Sequence, residues 1–160
     1  MNKINTINYS NLFDFVKENI EQLSEIKTQY LNLLSELTLC PNILDEYFYE
    51  NLKKINCIGL IIIAWIRLPN EQFEIVGSGT IIIEPKIFRS GMTVGHIEDI
   101  VVKSTFRGKK ISQNILNKLK DFGIDSNCYK IILDCDESVC NVYTSNGFKI
   151  KGIQMAQYLC

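Results

Sequence analysis

The chain has 160 residues and a mass of 18.4 kDa, with 17 Lys and Arg against 18 Asp and Glu and a pI near 5.9. A net charge of -1 excludes nucleic-acid binding by bulk positive charge, and 46% hydrophobic residues exclude a disordered chain. This length predicts one domain, residues 1–160, with a core large enough to stand without disulfides or a structural metal.

Six cysteines, at 40, 57, 128, 135, 140 and 160, contain no C-x-x-C pair, and His96 is the single histidine. No zinc site is therefore expected, and no metal. No charged and then apolar leader opens the sequence, so reduced thiols and a cytoplasmic protein are expected. The apolar runs 58–66 and 81–83 are far shorter than the roughly 18–20 residues of a membrane helix and read as buried strands.

In chain order, Leu23, Ile26, Tyr30, Leu33, Leu34 and Leu37 recur at spacings of three and four, which predicts a helical N-terminal third ending at Pro41. A second helix is predicted over Ile43–Ile55, with Asn42 as N-cap and Leu44, Tyr47, Phe48 and Leu52 on one stripe. Cys57–Leu68 and Phe73–Glu84 read as two strands of a hairpin turning at Pro69-Asn70-Glu71-Gln72. An irregular segment, Pro85–Thr93, leads to a strand over Val94–Lys103. An amphipathic helix follows, with Ile111, Ile115, Leu116, Leu119 and Phe122 on its apolar face. Lys130–Cys135 is predicted as a short strand, Ser138–Asn146 as a helix ended by Gly147, and Phe148–Leu159 as a final strand. The expected class is α/β or α+β with a mixed sheet.

The amphipathic helix starts with Arg107, Gly108, Lys109 and Lys110, although a helix N-terminus already carries about half a positive charge. Cations there are balanced by a bound anion, such as a phosphate or pyrophosphate, or else form a solvated basic turn. No G-x-x-x-x-G-K-[ST] is present, which excludes a Walker-type phosphate loop.

With the preceding strand Gly95-His96-Ile97-Glu98-Asp99-Ile100-Val101-Val102, the turn resembles the acetyl-CoA loop of the GNAT acetyltransferases. Thr38, Glu84 with Lys86, Cys128-Tyr129-Lys130, Asp134-Cys135, Tyr143, Gly147-Phe148 and Met155 extend that likeness from about residue 30 onward. In order and spacing they resemble the glucosamine-6-phosphate N-acetyltransferase family. Departures from the family pattern are Lys110 and Ser112 in the loop, Val139 and Val142 before Tyr143, and Tyr158 where relatives carry an Arg.

The resemblance implies a GNAT fold, a central mixed twisted sheet with a splayed parallel strand pair flanked by helices. It also implies direct acetyl transfer from acetyl-CoA to the 2-amine of glucosamine 6-phosphate, feeding UDP-N-acetylglucosamine biosynthesis. Implied coenzyme-binding residues are Ile100, Val101, Val102, Arg107, Gly108, Lys109, Lys110, Ile111, Ser112, Gln113, Asn141 and Tyr143. Implied sugar-phosphate residues are Thr38, Lys86, Arg89, Glu98, Asp99, Tyr129, Lys130 and Tyr158. A homodimer is implied by a family whose paired subunits contribute C-terminal strands.

For two acids of one strand, Glu98 and Asp99, to serve one pocket, the strand period must break, as at a bulge. By the resemblance Tyr143 is the candidate proton donor to the departing thiolate; on residue spacing alone it reads instead as part of a core stripe with Val139 and Val142. Glu98 is the first candidate base, with Asp134 next, the latter at a strand end where solvation alone also explains an acid. His96, among apolar neighbours, is expected to make a structural hydrogen bond, and Cys135 and Cys140 to be buried fillers. Rival readings are a GNAT enzyme for another amine, peptide or small molecule, and a non-catalytic acyl-CoA-binding protein.

Overall fold

The structure, a computed structural model, describes residues 6–159; Cys160 lies outside them. The described residues open on a strand, β1 (Ile7–Asn11), where a helical N-terminal third was expected. Its sequence, Ile-Asn-Tyr-Ser-Asn, is too short and polar to carry a strand signal alone. It is held by antiparallel pairing with Ile62–Ile66. Helix α1 (Leu12–Glu18) follows directly, its start capped by the Asn11 side chain, which accepts from the Phe13 amide at 2.9 Å.

Helix α2 (Leu23–Leu34) ends at Ser35, short of Pro41, and α3 covers Asp45–Ile58 in place of the predicted 43–55. Leu44, and not Asn42, stands at the N-cap of α3, without a side-chain cap. The buried Lys27 of α2 supplies the missing fixation. Its ammonium donates to the Ile43 carbonyl at 2.7 Å and pairs with Asp45 at 2.6 Å, so a tertiary contact sets the entry to α3. Only Phe48 and Leu52 of the expected α3 stripe are buried, while Leu44 and Tyr47 are exposed.

Strands β2 (Gly59–Arg67) and β3 (Phe73–Pro85) form the predicted hairpin, closed by Leu68 N–H donating to the Gln72 carbonyl at 2.8 Å. Then come β4 (Thr93–Val102), α4 (Ile111–Asp125), β5 (Cys128–Leu133) and α5 (Cys140–Thr144). Among the described residues the strands lie in the order β1-β2-β3-β4-β5, antiparallel except for the parallel pair β4 and β5. Successive β2 residues serve opposite layers: Ile61 and Ile63 meet α1, α2 and α3, and Ile62, Ala64 and Ile66 meet α4. A strand covered on both faces reads as a continuous apolar run, which is why 58–66 carried no alternation.

On the α4 side, Ile111, Ile115, Leu116 and Leu119 are fully buried, each contributing roughly 1.5–3 kcal/mol by leaving water. Close docking is possible because Gly79 of β3 has no side chain. A Cβ there would lie 2.4 Å from Ile100 Cδ1 and 2.7 Å from Ile115 Cγ2. The predicted C-terminal strand is absent: residues 149–159 form no helix or strand in this single chain, and 150–159 are exposed. Among the described residues no helix is long and apolar enough to cross a membrane.

Candidate active site

Strand β4 breaks its period where the sequence required it. Thr80 faces Glu98 and Ser78 faces Val101, so Asp99 and Ile100 together oppose the single residue Gly79. Asp99 takes a left-handed conformation, φ 53°, at this bulge. Two residues set against one leave backbone N–H groups of the 99–100 segment without a cross-strand partner, available to a ligand. The layer behind the bulge is polar and buried. Ser78 donates to the hydroxyl of Tyr30 at 3.4 Å, and burial pushes that phenol up to about 12.

At the same level the parallel pair comes apart. Its pairing runs from Thr93 with Cys128 to Ile97 with Leu133 and ends there, so Glu98 and Asp134 are the first residues of the splay. A cleft of about 670 Å³ opens along this line. Its walls bring together Glu98, Asp99, Ile100, Val101, Val102, Arg107, Gly108, Lys110, Ile111, Ser112, Asp134 and Tyr143. Backbone groups of the bulge line its middle, the first turn of α4 one end, and Asp134 with α5 the other.

Desolvation, followed by the neighbouring charges of Asp99 and Asp134, raises Glu98 above the ordinary glutamate value. Burial raises Asp99 as well. A carboxylate with a raised pKa is a better proton acceptor near neutrality. Tyr143 packs and lines the cleft at once: its ring meets Phe148 edge-on at 6.2 Å in the α4-side core, whereas Val139 and Val142, its expected stripe partners, are exposed. Burial raises its phenol, which keeps it protonated. Gly147, at φ 90°, stops the preceding turn as expected, and the Phe148 amide donates back to the Tyr143 carbonyl. Tyr143→Phe keeps this packing and removes only the hydroxyl. It should lower kcat roughly thirtyfold, the scale of one charge-assisted hydrogen bond, with thermal unfolding and acetyl-CoA affinity unchanged.

The turn before α4 is built for an anion. Lys110 occupies the N-cap position with φ 59° and no side-chain cap, Gly108 has φ 77° with open space at its Cβ, and the first helical turn holds no acid. Its amides therefore face the cleft end uncapped. A left-handed backbone at Lys110 is a conformation that glycine adopts without strain. Lys110→Gly should raise stability by about 1 kcal/mol, read as a melting temperature a few degrees higher, while the lost cation weakens acetyl-CoA binding two- to threefold.

A family model described as the acetyltransferase (GNAT) family matches residues 30–148. The chain belongs to the GNAT acetyltransferase family. Glucosamine 6-phosphate N-acetyltransferase 1 of Dictyostelium discoideum is 34% identical over 140 residues, 88% of this chain and 87% of that protein. Glucosamine 6-phosphate N-acetyltransferase of Arabidopsis thaliana is 32% identical over 137 residues, 86% of this chain and 92% of its own. A crystal structure of the Arabidopsis enzyme superimposes with a TM-score of 0.81 at 29% identity, covering 97% of this chain and 99% of that one. As a GNAT enzyme the chain is an acetyl-CoA-dependent N-acetyltransferase.

Several expected residues lie off the cleft wall of this GNAT chain: Lys109, Gln113 and Asn141 among the coenzyme set, and Thr38, Lys86, Arg89, Tyr129, Lys130 and Tyr158 among the acceptor set. Lys109 extends over the Phe106 ring at 4.4 Å. Arg89 and Lys130 both stack on Tyr129, at 5.3 and 5.6 Å, and Lys86 lies over Phe88 at 5.9 Å, giving a basic and aromatic cluster of its own. Glu84 ties Lys86 to His96, whose Nε2 is 2.8 Å from the carboxylate, the structural bond expected of that histidine. The paired Lys86 and His96 hold the Glu84 carboxyl below its usual value.

Cys135 is exposed and lines the cleft, and Cys140 is half-buried, so neither is the buried filler expected. The strand ends two residues earlier than predicted, which leaves Cys135 on the loop side of the splay. Sequence reasoning also missed Glu36, Leu37, Phe106 and Asp136 on the cleft wall. Leu37 was assigned to a helical stripe, and an acid after a helix end carries no local signal of a distant partner.

Proposed function

We propose that the chain transfers the acetyl group of acetyl-CoA to the 2-amine of glucosamine 6-phosphate, by direct attack, as a step toward UDP-N-acetylglucosamine. The observation that carries this reading is the coincidence of the β4 bulge with the end of β4–β5 pairing, which gathers Glu98, Asp134 and Tyr143 at one opening. Two relatives above 30% identity, both named for this reaction, support this acceptor.

Acetyl-CoA brings the thioester. Arg107, Gly108, Lys110 and Ser112 would hold its pyrophosphate at the start of α4, and amides of the bulge from Ile100 to Val102 would bond its pantetheine arm and polarise the carbonyl. Lys109, Gln113 and Asn141 flank that path. Glu98 accepts a proton from the ammonium of the acceptor, directly or through water, with Asp134 beside it. The neutral amine then attacks the thioester carbon. As the C–S bond breaks, the Tyr143 hydroxyl gives its proton to the thiolate and regains one from the nitrogen that has attacked, and because the amine attacks the thioester directly no acyl-enzyme forms.

Lys86, Arg89 and Lys130, with Thr38, Tyr129, Tyr158 and Asp99, would recognise the sugar phosphate. A homodimer completes the site. Ile150, Ile153, Met155, Tyr158 and Leu159 are 80 to 93% exposed, and an apolar tail of this kind gains a cover from a second copy. Sedimentation is expected to give a dimer for residues 1–160 and a monomer after truncation at Lys149; a dimer in both contradicts tail exchange. The whole chain is proposed to act as one domain in the cytoplasm.

Thiol release with acetyl-CoA and a panel of amines tests the function. Glucosamine 6-phosphate should be the best acceptor. A faster peptide amine would reassign the acceptor, and no thiol release with any amine would indicate a non-catalytic acyl-CoA-binding protein.

A further inference from the structure

Glu36, two residues beyond the end of α2, reaches across the cleft mouth to the turn before α4. Its carboxylate accepts from the Ser104 amide at 3.0 and 3.2 Å and pairs with Arg107 Nη2 at 3.2 Å. The Ser104 hydroxyl lies 3.5 Å away. The Glu36 side chain is only 26% exposed, whereas that of Arg107 is 65% exposed. An exposed arginine samples many rotamers, and a fixed carboxylate on one edge of its guanidinium removes most of that freedom.

We infer that Glu36 is a positioning residue for coenzyme binding, holding Arg107 and the 104–106 turn in the geometry that receives pyrophosphate. This inference rests on the proposed coenzyme role of Arg107. The guanidinium has five N–H donors in a planar fork. Glu36 engages Nη2 and the Val102 carbonyl lies 3.4 Å from Nε, so Nη1 is the edge left to present to an anion. The same carboxylate ties the coenzyme turn to the segment after α2, where Leu37 lines the cleft and Thr38 follows. Preorganisation of this sort lowers the ordering cost of binding without adding a contact to the ligand.

The test is acetyl-CoA affinity by calorimetry, with steady-state kinetics on the same full-length variants. Glu36→Ala should raise the acetyl-CoA Kd roughly tenfold, and Glu36→Gln, which keeps an acceptor for the Ser104 amide, about threefold. In both, kcat and the acceptor KM should stay within twofold, a split that general loss of structure would not give. In an Arg107→Ala background, Glu36→Ala should have almost no further effect, because the two residues act as one unit. If Glu36→Ala leaves affinity unchanged or tightens it while Arg107→Ala weakens it, the positioning role is wrong and the coenzyme site stands. If Arg107→Ala has no effect, both fall. Should Glu36→Ala fail to fold, Glu36→Gln decides the matter alone.

Discussion

Glu98→Gln is expected to lower kcat/KM about a thousandfold and to leave the protein as stable as the parent or more so. General-base catalysis contributes about 10²- to 10⁴-fold, and the amide of Gln is nearly isosteric but accepts no proton. The stability half follows from the direction of the shift. Desolvation first, and then the charges of Asp99 and Asp134, raise the folded-state pKa of Glu98 above its unfolded value. Such a carboxyl favours folding fully only below the unfolded pKa, and the contribution is lost as pH rises through the folded pKa. Ionising Glu98 in the folded protein therefore costs stability, and Gln removes that charge. The same shift sets the acid limb of the kcat/KM profile. Activity should fall with decreasing pH through a value above the ordinary glutamate range, and that limb should vanish in Glu98→Gln. Unchanged rates, or a large loss of thermal stability with the rate, would remove Glu98 from the base role.

Glucosamine 6-phosphate should be acetylated with a kcat/KM at least a hundredfold above that of glucosamine, equivalent to about 2.7 kcal/mol of transition-state binding. A phosphomonoester carries about -1.5 to -2 charges, and hydrogen bonds with ionised partners are roughly twice as strong as neutral ones. Lys86, Arg89 and Lys130 converge on the aromatic pair Phe88 and Tyr129, whose ring centroids are 6.5 Å apart. Arg89 and Lys130, held on the Tyr129 ring, keep N–H donors for an incoming anion, while Lys86 shares its ammonium with Glu84. Arg89 sits in a turn in which Arg89, Ser90 and Gly91 all have positive φ, so its backbone, like its ring contact, is fixed by local geometry. Arg89→Ala should abolish most of the preference while the slow reaction of plain glucosamine persists. A phenol such as Tyr158 gives no bidentate phosphate contact, so under the proposed acceptor role Arg89 would supply the guanidinium. A full preference surviving in Arg89→Ala would place the phosphate elsewhere.

Where the sequence was legible, a pattern had a single physical cause. Ile111, Ile115, Leu116 and Leu119 form one stripe because one face of α4 is buried, and all four are fully buried. Adjacent Glu98 and Asp99 required a broken period, and the bulge at Asp99 provides it. Where it was not legible, distant partners decided the outcome. β1 exists through pairing with β2, and the start of α3 through the buried Lys27. Phe148–Leu159 was expected as a final strand, yet it pairs with no strand within this chain. The site divides in the same way. The bulge and the basic turn were readable because local backbone chemistry builds them, whereas Glu36 depends on Ser104 and Arg107, about 70 residues onward in the chain.

A competition experiment tests the central claim most directly. Equimolar glucosamine and glucosamine 6-phosphate share a limiting amount of acetyl-CoA with the enzyme, and proton NMR resolves the two N-acetyl products. The expected result is N-acetylglucosamine 6-phosphate as essentially the sole product, matched one to one by released thiol. Equal amounts of the two products, or thiol release without N-acetyl sugar, would contradict it.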